Sequence, residues 1–370
     1  MGEVFDYVDE FGPTKIMHIY EPTSELKGVL VIDNVAAGPS IGGLRMAPDV
    51  STRECARLAR AMTLKNAVAG LPHGGGKSVL FGDPRMHAEE KERLIREFAC
   101  ALAGEKDYIF GPDMGTDEQC MAWVKDEIGR SVGLPREIGG IPLDEIGATG
   151  WGISHVVDVA LNYCNFPLEG ARVVVQGFGS VGKHTARFLV GKGAVLVAAA
   201  DSKGTIHHPD GLDLQALTDL KAEGRSVIDY SHGKKLKRDA VIDVACDIWI
   251  PAARPDVIHE DNVGRLNTRL VVEGANIPIT PGAEKALHER GVLCVPDFIA
   301  NAGGVICAAM EYQHASQTVA MQTIEEKLRV NTSLVLEAAK EQAIPPRDAA
   351  VALAAQRVKR AMSYRRWSTF

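Results

Sequence analysis

A chain of 370 residues is long enough for two or three domains with buried cores. Its composition is that of an ordinary globular protein, 46% hydrophobic and 24% charged, and its net charge of −7 argues against sequence-independent binding of nucleic acid, which needs a basic face. Seven scattered cysteines without a C-x-x-C pair indicate neither a zinc ribbon nor a disulfide framework, so no metal site is expected, and reduced thiols in a cytoplasmic protein are.

The opening stretch MGEVFDYVDEFG is acidic and lacks the apolar run of a signal peptide, and Asp6 breaks the myristoylation pattern. No apolar stretch approaches the length needed to cross a bilayer. Extended segments are predicted over 15–21 and 28–34. A helix follows, with Ser51 and Glu54 as a capping box and Ala56, Leu58, Ala59, Met62 and Leu64 as its apolar positions. The glycine-rich stretch 70–76 interrupts that pattern and reads as a turn. A strand is then predicted over 78–81, a helix over 87–103, a short strand over 108–110 and a helix over 116–130. Gly and Pro cluster over 133–150, as at a hinge or domain boundary.

From Thr149 the character changes. A helix to about 163 precedes an apolar strand over 171–176, a glycine turn, a helix over 181–192 and a second apolar strand over 194–200. That is a βαβ unit whose strands suit a parallel sheet covered on both faces. Further buried strands are predicted over 247–251, 270–273 and 293–295, then helices over 301–340, with a break, and after Pro346. The fold class expected is α/β in two domains separated by a cleft. The first, 1–140, supplies substrate binding and chemistry, with helices from about 335 onward packing back on it; the second, 141–334, is a Rossmann-type dinucleotide-binding domain.

The turn Gly177-Phe178-Gly179-Ser180-Val181-Gly182 is G-x-G-x-x-G in its required place, after a strand and before a helix. Glycines allow the tight turn and a close approach of backbone to pyrophosphate, and the helix N-terminus offers unpaired N–H groups. Asp201 ends the next strand, where a carboxylate binds the ribose hydroxyls of NAD and repels the 2′-phosphate of NADP, although Ser202 and Lys203 could accommodate a phosphate. The blander reading is a glycine turn that only packs a helix on a sheet.

In the first domain, Lys65 ends a helix among apolar neighbours and Lys77 follows three glycines. A Walker A loop is excluded because Leu71 stands where that pattern requires Gly. Two lysines converging on one pocket repel, which would turn one of them into a base near neutral pH while the other binds a carboxylate. The alternative is two surface lysines beside a glycine loop. His73 reads as a loop histidine, His207-His208 as a solvated pair, and the basic stretch 357–366 as a face for solvent or a subunit neighbour.

Seven stretches occur in one order: GGLRMAP (42–48), MTLKNAVAGLPHGGGKSVL (62–80), GPDMGT (111–116), ATGWG (148–152), VVVQGFGSVG (173–182), EGAN (273–276) and PDFIANAGGVI (296–306). In them the chain resembles the glutamate/leucine/phenylalanine/valine dehydrogenase family over nearly its whole length. The resemblance implies oxidative deamination of an L-amino acid to its 2-oxo acid and ammonium with NAD, NADP being the lesser candidate. It implies Lys65 as the binder of the substrate carboxylate, Lys77 and Asp113 as catalytic residues, Asn276 and Asn301 facing nicotinamide and substrate, and Thr149 at the cofactor. Homo-oligomers are also implied. The lysine that glutamate-specific members place before the GG is Ile41 here, and their serine after NAGGV is Ala308. An apolar pocket of Ile41, Gly42, Gly111, Val305 and Ala308 is therefore expected, nearer the leucine and phenylalanine branch, with Arg45 and Arg136 as the cations that could reach it otherwise. Glutamate dehydrogenase is the first alternative and a silent regulatory homologue the second. A hydroxy-acid dehydrogenase is disfavoured because such enzymes usually centre on a histidine base.

Overall fold

The computed structural model describes residues 4–364. Residues 365–366 of the basic stretch, and the first three residues of the acidic opening, lie outside that range. In chain order the first part contains β1 (Lys15–Glu21), β2 (Leu26–Asn34), β3 (Ser40–Ala47), α1 (Thr52–Val68), β4 (Gly74–Phe81), α2 (Ala88–Ala101), β5 (Tyr108–Pro112) and α3 (Glu118–Ile128). The middle holds α4 (Leu143–Ile146), α5 (Ala148–Ala160), β6 (Arg172–Gln176), α6 (Ser180–Val190), β7 (Val195–Ala200), β8 (Thr205–His207), α7 (Leu214–Ala222), β9 (Lys234–Leu236), β10 (Ile248–Pro251), β11 (Leu270–Val272), α8 (Pro281–Glu289), β12 (Leu293–Val295) and α9 (Asp297–Ala300). The chain continues through α10 (Gly303–Tyr312), α11 (Gln317–Gln342) and α12 (Pro346–Tyr364). No helix among the described residues is long and apolar enough to cross a membrane, and no group of three or more His, Cys, Asp or Glu there is arranged to hold a metal ion.

The chain forms two compact units. One comprises residues 1–142, 305–320 and 351–370; the other comprises 143–304 and 321–350. This differs from the expected division in two places. Residues 305–320 belong with the first part, and 335–350 with the second. The first is held by Glu311 on α10, whose buried carboxylate accepts the N–H groups of Gly133, Leu134 and Ile141. The second is held by Arg347, which is tied into a carboxylate cluster of the second unit.

The first unit is built on a sheet in the order β1-β2-β4-β3-β5. Strands β1, β2 and β4 pair antiparallel, and β4, β3 and β5 parallel. One face buries Leu30, Leu44, Met46, Tyr108 and Phe110 against Phe98 of α2 and Met121 of α3. The other buries Val29, Val31 and Val79 under Cys55 and Ala59 of α1. Strand β3 was not foreseen, because its central Gly42-Gly43 is poor strand sequence. The glycines before Lys77 are not a turn either: Gly74–Gly76 run inside β4. They are needed for close packing, since a Cβ at Gly74 would lie 1.8 Å from the Asn34 carbonyl oxygen and one at Gly75 would lie 2.0 Å from the Thr63 nitrogen of α1. The predicted capping box is half present. Ser51 accepts the Glu54 N–H, while the Glu54 carboxylate goes to Arg45.

The second unit has a sheet in the order β12-β11-β10-β6-β7-β8-β9. Strands β12 to β7 are parallel, and β8 and β9 add an antiparallel edge. The β6-α6-β7 crossover is the βαβ unit read from the sequence. The edge strands β8 and β9 were missed because their sequences, TIH and KKL, carry no apolar run of the kind that marks β11 and β12.

Candidate active site

Strand register brings the first unit's chemistry together. Leu44 pairs with Ser78, so Gly43 stands beside Lys77; Leu44 also pairs with Pro112, so Arg45 stands beside Asp113. The Lys77 ammonium, buried to 6% residue exposure, donates to Asp113 Oδ2 at 2.5 Å. Arg45 Nε donates to the same oxygen at 3.0 Å, and its Nη1 donates to Glu54 at 2.5 Å. Burial works against the Asp113 charge, but the Lys77 ammonium and the Arg45 guanidinium outweigh it and hold the carboxyl below its usual range. Space for the pair exists because residue 43 has no side chain: a Cβ there would lie 2.7 Å from Asp113 Cβ and 3.1 Å from Lys77 Nζ. Arg45, Glu54 and Gly43 carried no sequence signal of these roles. They emerge only from the β3–β4–β5 register.

The group at hydrogen-bonding distance from Lys77 is a carboxylate, a partner that the reading of two lysines did not include. Lys65 is half-buried in the last turn of α1, the helix that covers the sheet face from which Lys77 points. Of the expected pocket residues, Ile41 is buried on that face, and Gly111 pairs with Gly43. A Cβ at Gly111 would be in ordinary contact with Val132, at 3.5 Å. Gly42 pairs with Phe110, so only its backbone is available to the expected pocket. Val305 and Ala308 are half-buried on α10. Arg45 is engaged by Asp113 and Glu54, and Arg136 is exposed. His73 lies in the loop before β4, as read, and is buried there, with Nδ1 3.1 Å from the Pro39 oxygen and its ring edge-on to Tyr312. One further reading changes. Arg357 donates to the Ala67 and Val68 carbonyls at the end of α1 rather than facing solvent.

In the second unit the glycine turn fits a dinucleotide. Gly177 has φ +101°, and a Cβ at Gly182 would lie 2.0 Å from the Gly177 oxygen, whereas one at Gly179 would meet nothing within 4 Å. The turn is thus tight at its ends and open in the middle, where a pyrophosphate would approach. The first turn of α6, at Ser180, Val181 and Gly182, has no side-chain cap for its N–H groups, as anion binding requires. Phe178 is buried within the turn, at 1% exposure. A cavity of about 750 Å³ runs from the turn past Asp201, Lys221 and Arg238. Asp201 is more occupied than expected. Oδ1 accepts from Lys203 N–H and the Ser226 hydroxyl, and Oδ2 from Lys221 Nζ at 3.0 Å and Val227 N–H. These donors outweigh its burial and hold the carboxyl below its usual range. Thr149 begins α5, where a Cβ on Gly304 would come 3.2 Å from its hydroxyl. Asn276, exposed, accepts from Asn301 Nδ2 at 2.9 Å.

A parallel sheet with a phosphate-ready glycine turn, joined in one chain to a unit holding a buried Lys–Asp pair, defines an oxidoreductase of the dinucleotide-fold class. The family description Glutamate/Leucine/Phenylalanine/Valine dehydrogenase matches residues 139–366, and the dimerisation domain of the Glu/Leu/Phe/Val dehydrogenases matches residues 16–130, so the chain belongs to this family of amino-acid dehydrogenases. It is 38% identical to the NADP(+)-dependent glutamate dehydrogenase of Pyrobaculum calidifontis over 366 residues, covering 92% of this chain and 87% of that one. It is 35% identical to the NAD-specific glutamate dehydrogenase of Staphylococcus aureus over 354 residues, covering 90% and 85%. Among solved structures, the hetero-hexameric glutamate dehydrogenase of Thermus thermophilus in its Leu-bound form superposes with a TM-score of 0.85 at 30% identity, covering 96% of this chain and 90% of that one.

Proposed function

We propose that the protein oxidatively deaminates an apolar L-amino acid, with NAD as cofactor. The observation that carries the substrate reading is Ile41, buried on the same face as the Lys77–Asp113 pair where a glutamate-binding lysine would be expected. A side-chain carboxylate brought against Ile41 and Ala308 would lose its hydration with no cation in return, at a cost of several kcal/mol. A loss of ~3 kcal/mol in transition-state binding lowers kcat/KM more than a hundredfold.

In this reading Lys65 binds the α-carboxylate and Asp113 takes protons from the substrate amine. Lys77 delivers water to the imine carbon and steadies the resulting carbinolamine, from which ammonium leaves. The bound nicotinamide would accept the hydride from Cα. Gly177–Gly182 and the first turn of α6 hold its pyrophosphate, while Asn276 and Asn301 meet its nicotinamide end. NAD is preferred because Asp201 stays ionised at the ribose end of the cavity. The match to the family's dimerisation domain favours a homo-oligomer.

Two observations favour second readings. The relatives named above are glutamate dehydrogenases. Asp201 has all four of its acceptor positions filled, and the Lys221 ammonium beside it suits a phosphate, which favours NADP. One experiment decides both. Reduction of NAD and of NADP is followed with each of the twenty L-amino acids. Leucine, methionine or phenylalanine should exceed glutamate by at least a hundredfold in kcat/KM, with NAD ahead of NADP. Glutamate as the best substrate overturns the pocket, and NADP preference overturns the role of Asp201.

A further inference from the structure

Behind the asparagine pair lies a charge cluster that the proposed reaction does not use. Arg347, the second residue of α12, faces three carboxylates, from the turn after β11, from α8 and from α9. Its Nη2 donates to Glu273 at 2.9 and 3.0 Å, its Nη1 to Asp297 at 3.1 Å and its Nε to Glu284 at 2.5 Å. Glu273 is 0% exposed, and the other two carboxylates are also buried.

The cluster is wired to the asparagines. The second oxygen of Asp297 accepts the Ile277 N–H at 2.9 Å, the Asp297 N–H donates to Glu273, and the Asn301 N–H donates to the Asp297 carbonyl at 2.8 Å. Asn301 Nδ2 then closes on Asn276 Oδ1, with longer contacts to the carbonyls of Gly274 and Ala275. Ile277 sits at φ +48°, a conformation that a branched residue keeps only where its surroundings impose it. The turn 273–277 is therefore held from behind, at Ile277 by Asp297 and at Glu273 by Arg347.

We propose that Arg347 is a positioning residue, which through Asp297 and Glu273 fixes the Asn276–Asn301 amide pair at the nicotinamide end of the cofactor. The proposal rests on the reading that this pair meets the nicotinamide. A single arginine serves because its planar fork reaches all three carboxylates at once, which a lysine cannot do.

The test uses the full-length variants Arg347→Lys and Asp297→Asn. The lysine keeps the charge and loses the fork. The asparagine keeps the size but has one acceptor oxygen where Arg347 and the Ile277 N–H each need one. For each variant kcat, KM for the cofactor and the dissociation constant of ADP-ribose are measured. ADP-ribose lacks the nicotinamide and reports only the Gly177–Asp201 end. The expected result is a fall in kcat of tenfold or more with ADP-ribose affinity within twofold of the parent. Normal kcat in a folded variant overturns the proposal, and so does an equal loss of ADP-ribose binding, which would make the cluster a support for the whole unit. If Arg347→Lys fails to fold, Asp297→Asn decides alone. Asn301→Ala separates the two ideas. Full kcat there overturns the reading of the asparagine pair. Loss there, with normal kcat in the other two variants, overturns only the role of Arg347.

Discussion

Asp113 Oδ2 accepts from both Lys77 and Arg45, so a single oxygen fixes two cations, and the absence of a side chain at residue 43 leaves room for it. Lys77→Ala should lower kcat by about 10²–10⁴-fold, the usual weight of a positioned acid–base group, while ADP-ribose binds as before. A variant that retains most of its kcat would make the lysine structural. Gly43→Ala is the subtler probe. Its methyl group would press on Asp113 Cβ, the Pro112 carbonyl oxygen and Lys77 Nζ, and small displacements of reacting groups are costly, so kcat should fall tenfold or more, with a fall in melting temperature beside it. Unchanged kcat would show that the pair tolerates displacement. Lys77 and Asp113 were legible in the sequence through their motifs. Arg45 was visible only as a nearby cation, because its partnership depends on a parallel register that no local pattern reveals.

Among the elements, the turn after β11 has the most distinctive titration. Burial pushes the Glu273 carboxyl up to about 8 from an ordinary 4.5, with Arg347 opposing and Asp297 and Glu284 adding to the rise. Asp348 lies near Glu284, and Cys294 of β12 senses both glutamates. A carboxyl raised in the folded state binds its proton there while the unfolded chain has already released it. The contribution of this group to stability is therefore full below about 4.5 and is lost as pH rises towards 8. Asp113 and Asp201 are lowered and act in the opposite sense, losing their contribution as pH falls through their depressed values. The melting temperature of Glu273→Gln, measured at pH 5, 6.5 and 8, should accordingly decline less with pH than that of the parent. Parallel declines would mean that Glu273 does not titrate in this window. The sequence carried the EGAN stretch but not this behaviour, since Glu284, Asp297 and Arg347 are 11, 24 and 74 residues from Glu273 and meet only in the fold. The β6-α6-β7 crossover, by contrast, was readable almost to the residue, because continuous apolar runs around a glycine turn have few other uses.

For the whole molecule, the two α/β units, their order and the boundary near 140 were legible, but the later crossings of the chain between units were not. Helices α11 and α12 each begin in one unit and end in the other, a division that depends on partners such as Glu311 and Arg347 rather than on composition. A fragment ending at Pro142 should fail to show a cooperative urea transition. It lacks Glu311 for the Gly133, Leu134 and Ile141 N–H groups and Arg357 for the end of α1. A sharp transition in that fragment would show these late segments to be dispensable. During synthesis on a ribosome the same arrangement imposes a schedule. The β1–β5 segment emerges first and must wait, its last loop unsatisfied until residue 311 appears and the end of its first helix without the Arg357 contact until residue 357 does. All of β6 to β12 is by then outside the exit tunnel, so the half of the protein that begins first is the half that finishes last.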